Sequence, residues 1–307
     1  MHGIHTIDTG FGRPDFDAAY LVVEHGRGAF IDSGTTHSLP RFLDAIATAN
    51  LEPKDIDWVI LTHVHLDHAG GAGTLVKHLP NAKVAVHPRG ARHMIDPSAL
   101  IAGASGVYGE EEVRRSYGEI VPVPRERVVE AADGFVVDLA GRALLCLDTP
   151  GHARHHIAIH DDRSNAFFTG DIFGLSYREF DSPGGAFIIP TTSPVQFEPD
   201  AAHHSIDRML AYAPEAMYLT HYDRVTDVPR LAQDLHDTLD AMVAIAKRHA
   251  GAEDRERRIA SDFGDLYVDR AHRQGVSLSA DDIKDLLKID IRLNAQGILV
   301  WLDRKTL

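Results

Sequence analysis

Thr62-His63-Val64-His65-Leu66-Asp67-His68-Ala69-Gly70 places four metal-ligating side chains within six residues, directly behind the apolar run 58–61. If the chain stays extended through the first of them, His63 and His65 share a side, because side chains two apart in a strand share a face. Asp67 and His68 come next as the chain turns toward a helix, where neighbours diverge by about 100° and can address a second ion. Burying this many polar groups at a strand end is costly unless a cation gathers them. The glycines at 70, 71 and 73 then lead into an apolar helical run through Leu79.

The surrounding composition fits such a centre. The chain has 307 residues, 44% of them hydrophobic and 25% charged, with 20 histidines and a formal net charge of -14. That is enough chain for one large domain or two small ones, with a substantial core. The acidic balance repels phosphate backbones, so nucleic acid is not an expected partner. Cys146 is the only cysteine, which rules out a disulfide framework within the chain and marks Cys146 as a core residue. The opening residues carry no basic and apolar signal pattern, and no apolar run reaches the roughly 18 residues a membrane span needs. The expectation is a cytoplasmic protein with no membrane partner, acting on a small molecule.

Outward from the ligand string, residues 18–34 read as a hairpin around His25-Gly26-Arg27-Gly28, and 39–50 as an amphipathic helix closed by Pro53. Further strands are expected at 83–87, 136–139, 143–148, 156–160, 166–169 and 216–220. Several alternate with helical stretches, which gives an α/β (α+β) class with layered sheets. Past residue 225 the pattern turns helical, at 231–249, 255–273 and 280–288, the last opened by a capping box of Ser279 and Asp282. Residues 289–302 suggest two short strands around Asn294-Ala295-Gln296-Gly297. These divide the chain into a catalytic domain, 1–225, and a helical extension, 226–307. The extension resembles a winged helix, or else packs as a lid or builds a homodimer.

The string His63-Val64-His65-Leu66-Asp67-His68 resembles the HxHxDH signature of the metallo-β-lactamase superfamily, and the remaining elements of that family follow in order. Thr149-Pro150-Gly151-His152 is similar to its TPGH element, Thr169-Gly170-Asp171 to its GD element, and Leu219-Thr220-His221 supplies a last histidine. The resemblance implies a four-layer αββα sandwich, here with a helical C-terminal extension. It also implies two divalent ions: His63, His65 and His152 on one, Asp67, His68 and His221 on the other, with Asp171 bridging. A donor set of five imidazoles and two carboxylates without thiolate suits Zn first, with Fe or Mn as alternatives. Two such ions about 3.5 to 4 Å apart can share a hydroxide and polarise a scissile carbonyl. Asp67 is the candidate catalytic residue, holding the proton of that water.

Other residues near these elements are candidates for supporting or substrate roles. Asp32 matches a family position that supports the ligand loop, and His156 stands where many members carry a further histidine. Tyr222 is placed to donate to an oxyanion. Tyr177 and Arg178 lie in the long connection 173–199, a candidate substrate loop. His203 and His204 read as a solvated helix face. Within the superfamily, the bridging Asp171 and the absence of a cysteine ligand argue against the β-lactamases, and His65, where the flavin-linked diiron enzymes usually carry glutamate, argues against those. Gly174 replaces the tyrosine typical of acyl-homoserine lactonases, and the glutathione-binding basic residues of glyoxalase II-like enzymes are not recognisable. The reading is a dinuclear metal-dependent hydrolase of an ester, lactone or thioester. The alternative is a diiron oxidoreductase or oxygen sensor, with a nuclease behind both.

Overall fold

The computed structural model describes residues 2–192 and 194–306. The first sheet has the order β1 (Ile4–Asp8), β2 (Ala18–Glu24), β3 (Arg27–Ile31), β4 (Ile56–Ile60), β5 (Lys83–Val86), β6 (Val128–Glu130). Its first three strands are antiparallel and the last three continue in parallel from β3. The second sheet runs β12 (Asp223–Val225), β11 (Ala216–Leu219), β10 (Ala166–Gly170), β9 (Ile157–Asp161), β8 (Arg142–Asp148), β7 (Val136–Leu139). Up to residue 225 the expected strands lie within a residue or two of these positions, whereas β1, β6 and β12 are strands the sequence reading did not expect.

Two compact units divide the chain. The first, residues 1–148, 155–170 and 217–224, holds both sheets apart from the end residues Ala216 and Val225. It also holds α1 (Leu39–Thr48), α2 (Leu66–Ala69), α3 (Ala72–His78), α4 (Pro88–Ile95), α5 (Ser98–Tyr108) and α6 (Glu110–Tyr117). Its packing follows the two-residue period of the strands. Along β2, Ala19 and Leu21 join Phe30, Phe42 and Ile46 in the core beneath α1, with the Phe30 and Phe42 rings edge to face at 4.9 Å. Tyr20 points the other way, onto Phe168 of β10 and Tyr218 of β11 at 5.2 and 5.3 Å between ring centroids. With both faces covered, β2 is buried almost throughout, as strands between two layers are.

The second unit, residues 149–154, 171–216 and 225–307, holds α7 (Pro199–Leu210), α8 (Val228–His249), α9 (Arg255–Gln274), α10 (Ala280–Leu286) and α11 (Lys288–Thr306). The Ser279 hydroxyl accepts from the Asp282 amide at 3.2 Å, as the capping box requires. The expected strands at 289–302 are not formed: those residues make up most of α11, so the hairpin of a winged module is replaced by helix. The reason lies in burial. Asn294, Ile298 and Trp301 are all nearly inaccessible and recur at helical spacing. The Asn294 amide finds partners across the unit, donating to Pro190 O and Tyr267 Oη at 3.0 Å each and accepting from Thr192 N at 2.7 Å. An asparagine that reads as a turn former in isolation is held mid-helix by these bonds. No described helix is long and apolar enough to cross a membrane.

Candidate metal centre

In the first unit, three chain crossings converge where β3, β4 and β11 end. Asp32 follows β3 in the left-handed region, at φ 60°, which a short polar side chain tolerates better than most. Its carboxylate is buried and accepts from Thr62 N at 2.8 Å and Thr62 Oγ1 at 2.9 Å, both just beyond β4. It also accepts from His68 Nδ1 in α2 at 2.9 Å and from Thr220 Oγ1 beyond β11 at 3.3 Å. One carboxylate thus ties together the loops that carry His63, His68 and His221. Gly170, at φ 49°, ends β10 against them. A Cβ there would lie 2.6 Å from His156 Nε2 and 2.7 Å from Thr62 Oγ1, so only glycine fits.

Hydrogen bonds on the outer nitrogens fix the tautomers of the histidines. A carbonyl or carboxylate only accepts, so His221 Nδ1, 3.0 Å from Phe16 O, and His68 Nδ1 both carry hydrogen. Thr62 Oγ1 gives its hydrogen to Asp32, so at 3.2 Å from His63 Nδ1 it accepts. In each ring Nε2 then bears the lone pair. His68 Nε2 and His221 Nε2 lie 3.9 and 3.7 Å from the two oxygens of Asp67. Asp67, His68 and His221 each offer a ligand atom within 4.8 Å of the other two. His63 Nε2 faces His65 Nδ1 at 2.9 Å, as their expected shared face requires.

The second unit repeats the device. Thr191 Oγ1 donates to Asp171 O at 2.9 Å and therefore accepts from His152 Nδ1 at 2.9 Å. His152 Nε2 is left facing Asp171 Oδ2 at 3.5 Å. The fold thus groups His63 with His65, Asp67 with His68 and His221, and His152 with Asp171. Borderline divalent metals fit this donor set: neutral imidazoles present lone pairs, their other nitrogens are anchored, and carboxylates stand among them.

Of the remaining candidates, Asp32 supports the ligand loop as described, and the buried His156 stacks on His63 at 5.0 Å between centroids. Tyr222 bonds to Asp15, and burial together with that carboxylate raises its phenol above the ordinary value. The Tyr177 hydroxyl donates to Asp290 at 3.2 Å, and Arg178 donates to Ser176 O at 2.6 Å. Sequence reasoning missed Asp17 and Thr191. Asp17 is fully buried and bonded to the Thr9 hydroxyl. Burial pushes its pKa up to about 7, against the lowering influence of His221 and His68. Its one sequence signal is a carboxylate directly ahead of the apolar strand β2. His155 shows in the sequence only as a departure from the family pattern. Burial, with His65, His93 and His87 nearby, pushes its pKa down to about 3.

Two mixed sheets, with histidines and aspartates gathered at their strand ends, define a class of metal-site α/β proteins. The chain belongs to the metallo-β-lactamase superfamily, whose family model matches residues 12–235. Among curated relatives, the metallo-β-lactamase fold-containing protein ST1585 of Sulfurisphaera tokodaii is 27% identical over 71% of this chain and 78% of its own. The hydroxyacylglutathione hydrolase of Acidiphilium cryptum is 26% identical over 80% of this chain and 82% of its own. The acyl-coenzyme A thioesterase MBLAC2 of Gallus gallus is 31% identical over 50% of this chain and 56% of its own. The fold matches the crystal structure of a metallo-β-lactamase family protein, TTHA1429 from Thermus thermophilus. That match has a TM-score of 0.70 at 20% identity and covers 100% and 95% of the two chains. It also matches the chemotaxis sensor ODP, a structure titled as a peroxy diiron species, at TM-score 0.54 and 17% identity over 77% and 91%.

Proposed function

We propose that the protein is a dinuclear metal-dependent hydrolase of activated acyl substrates, thioesters before lactones and simple esters. The observation that carries this reading is the tautomer pattern: four histidines of the motif set have Nδ1 engaged by fixed partners, which presents Nε2 to a metal. In the assignment that the family pattern implies, His63, His65 and His152 would hold one ion and Asp67, His68 and His221 the other, with Asp171 as a shared ligand. Two ions so held supply a hydroxide nucleophile at neutral pH and polarise the scissile carbonyl. Asp67 is the more open carboxylate of the set, its side chain 22% exposed against 7% for Asp171, so it holds the proton released in attack and passes it to the leaving group. His155 stays neutral beside His65 and adds no competing charge. The preference for thioesters is supported by relatives named as thioesterases and as a hydroxyacylglutathione hydrolase.

The test is elemental analysis of protein purified without added metal, a visible spectrum under air and under argon, and turnover of acyl-thioesters, lactones and aryl esters. The expected result is about two equivalents of a divalent metal, no oxygen-sensitive band, and thioester turnover that collapses in His65→Ala and Asp171→Ala. Wild-type turnover in both variants overturns the proposal. Two irons with a band that responds to oxygen overturn it in favour of redox chemistry.

A further inference from the structure

Away from that centre, α7 and α8 carry the same pattern, a histidine followed four residues later by an aspartate: His203 and Asp207 on α7, His236 and Asp240 on α8. Residues four apart share a helix face. The two pairs meet crosswise, His203 Nε2 lying 3.3 Å from Asp240 and His236 Nε2 3.1 Å from Asp207. Between them, His203 Nδ1 and His236 Nδ1 are 2.6 Å apart. The ring centroids are 4.9 Å apart with planes 13° from parallel. Centroid and nitrogen separations differ by roughly the width of one ring, so the rings meet edge to edge in nearly one plane.

That geometry raises a question of proton placement. Each Nε2 faces a carboxylate and is the natural site of its ring's one hydrogen, which leaves two Nδ1 lone pairs aimed at each other. Such an arrangement is repulsive unless a proton or a metal ion lies between them. The imidazole with its far nitrogen donating to a carboxylate is also the arrangement that orients histidine toward a metal and raises its basicity; His236 donates to Asp207 in this way, and His203 faces Asp240 within ion-pair distance. We infer that His203 and His236 form a second metal site, independent of the proposed catalytic centre, that takes one borderline divalent cation of the zinc type and clips α7 to α8. Zn–N bonds of about 2.0–2.1 Å at tetrahedral angles set two nitrogens about 3.3 Å apart. A small rotation about the side-chain torsions opens the pair that far. The His203 and His236 side chains are 25% and 19% exposed, which gives solvent access for the ion and for the waters that complete its coordination.

The experiment uses the full-length protein with its own metal complement, dialysed against micromolar free Zn²⁺, with bound zinc counted by elemental analysis and Tm recorded with and without the ion. Wild type, His203→Gln and His236→Gln are compared, with the double variant Asp207→Asn, Asp240→Asn as a version that keeps both imidazoles. The expected result is one equivalent fewer in each glutamine variant than in wild type. Zinc should raise Tm in wild type alone, and the asparagine variant should bind the extra equivalent about 10- to 100-fold more weakly. Because the count is a difference, it holds whatever the catalytic centre binds. Equal zinc content in wild type and both glutamine variants overturns the inference. So does a wild-type Tm that zinc leaves unmoved, which leaves only a shared proton between the rings.

Discussion

The carboxylate of Asp32 accepts a hydrogen bond from His68 Nδ1 at 2.9 Å while also holding the Thr62 amide and hydroxyl. Through Thr62 it reaches His63, so two candidate ligands take their tautomer and orientation from one buried residue. Asp32→Asn replaces an acceptor-only group with one that must turn an NH₂ toward part of this network. Metal affinity measured by chelator competition is expected to fall about 10- to 100-fold. Unchanged affinity would show that Asp32 serves only the fold.

The ligand string was legible because it is local. Strand-end histidines at a spacing of two need only the strand to place them, and the continuous apolar run of β2 fits a strand covered on both faces. What stayed hidden depends on partners far away in the chain. Asn294-Ala295-Gln296-Gly297 has turn chemistry, yet it lies in α11 because residues 190 and 192 satisfy Asn294. Asp17 shows in the sequence only as a carboxylate ahead of an apolar strand, and Thr191 looks like any loop threonine until it is seen between His152 and Asp171. A periodic pattern reports which face is buried but not which polar group on that face has found its partner.

Gly73 lies in α3 pressed against the chain at Val121, where a Cβ would lie 1.9 Å from the Val121 carbonyl oxygen. The obstacle is backbone and cannot swing aside, so helix or loop must shift. Gly73→Ala raises helix propensity and would stabilise an exposed helix. Here the clash dominates, and urea denaturation is expected to show a loss of about 1–3 kcal/mol. A gain in stability would mean that α3 is not seated as described.

At the far end of β8, Arg142 donates to Asp161 through Nε at 2.9 Å and through Nη2 at 2.5 Å, with Glu24 3.7 Å away. Both side chains of the pair are essentially inaccessible. Burial alone would raise the Asp161 carboxyl, but hydrogen bonds from Arg142 and Ser164 and the guanidinium charge outweigh it and hold the group below its ordinary 3.8. A depressed acid stabilises the fold above its unfolded pKa and loses that contribution as pH falls through the folded value. Arg142→Met leaves the buried Asp161 without its cation, while Glu24 keeps Arg163, and is expected to cost about 3–5 kcal/mol at neutral pH. The sign of the pH dependence should also invert, because burial then raises Asp161 and the variant loses stability as pH rises above about 4. Chemical denaturation from acid to neutral pH checks both, and a variant with the wild-type slope would show that the pair is not coupled as drawn.

Cys146 sits in β8 with no accessible surface, and burial pushes its thiol up to about 12. Thiol reagents attack the thiolate, so the native protein should be inert to them at neutral pH for two reasons: almost no thiolate forms, and no reagent reaches it. Modification must then wait for the second sheet to open, and its rate becomes a measure of that opening. Labelling should be slow in buffer, complete on denaturation, and faster in the destabilised Arg142→Met variant, whose lesion lies on the same strand. Metal that stabilises the native state should slow it further by mass action. Rapid stoichiometric labelling of the folded protein would place Cys146 outside the core and contradict the register of β8 against β9, which sets Cys146 opposite Ile159.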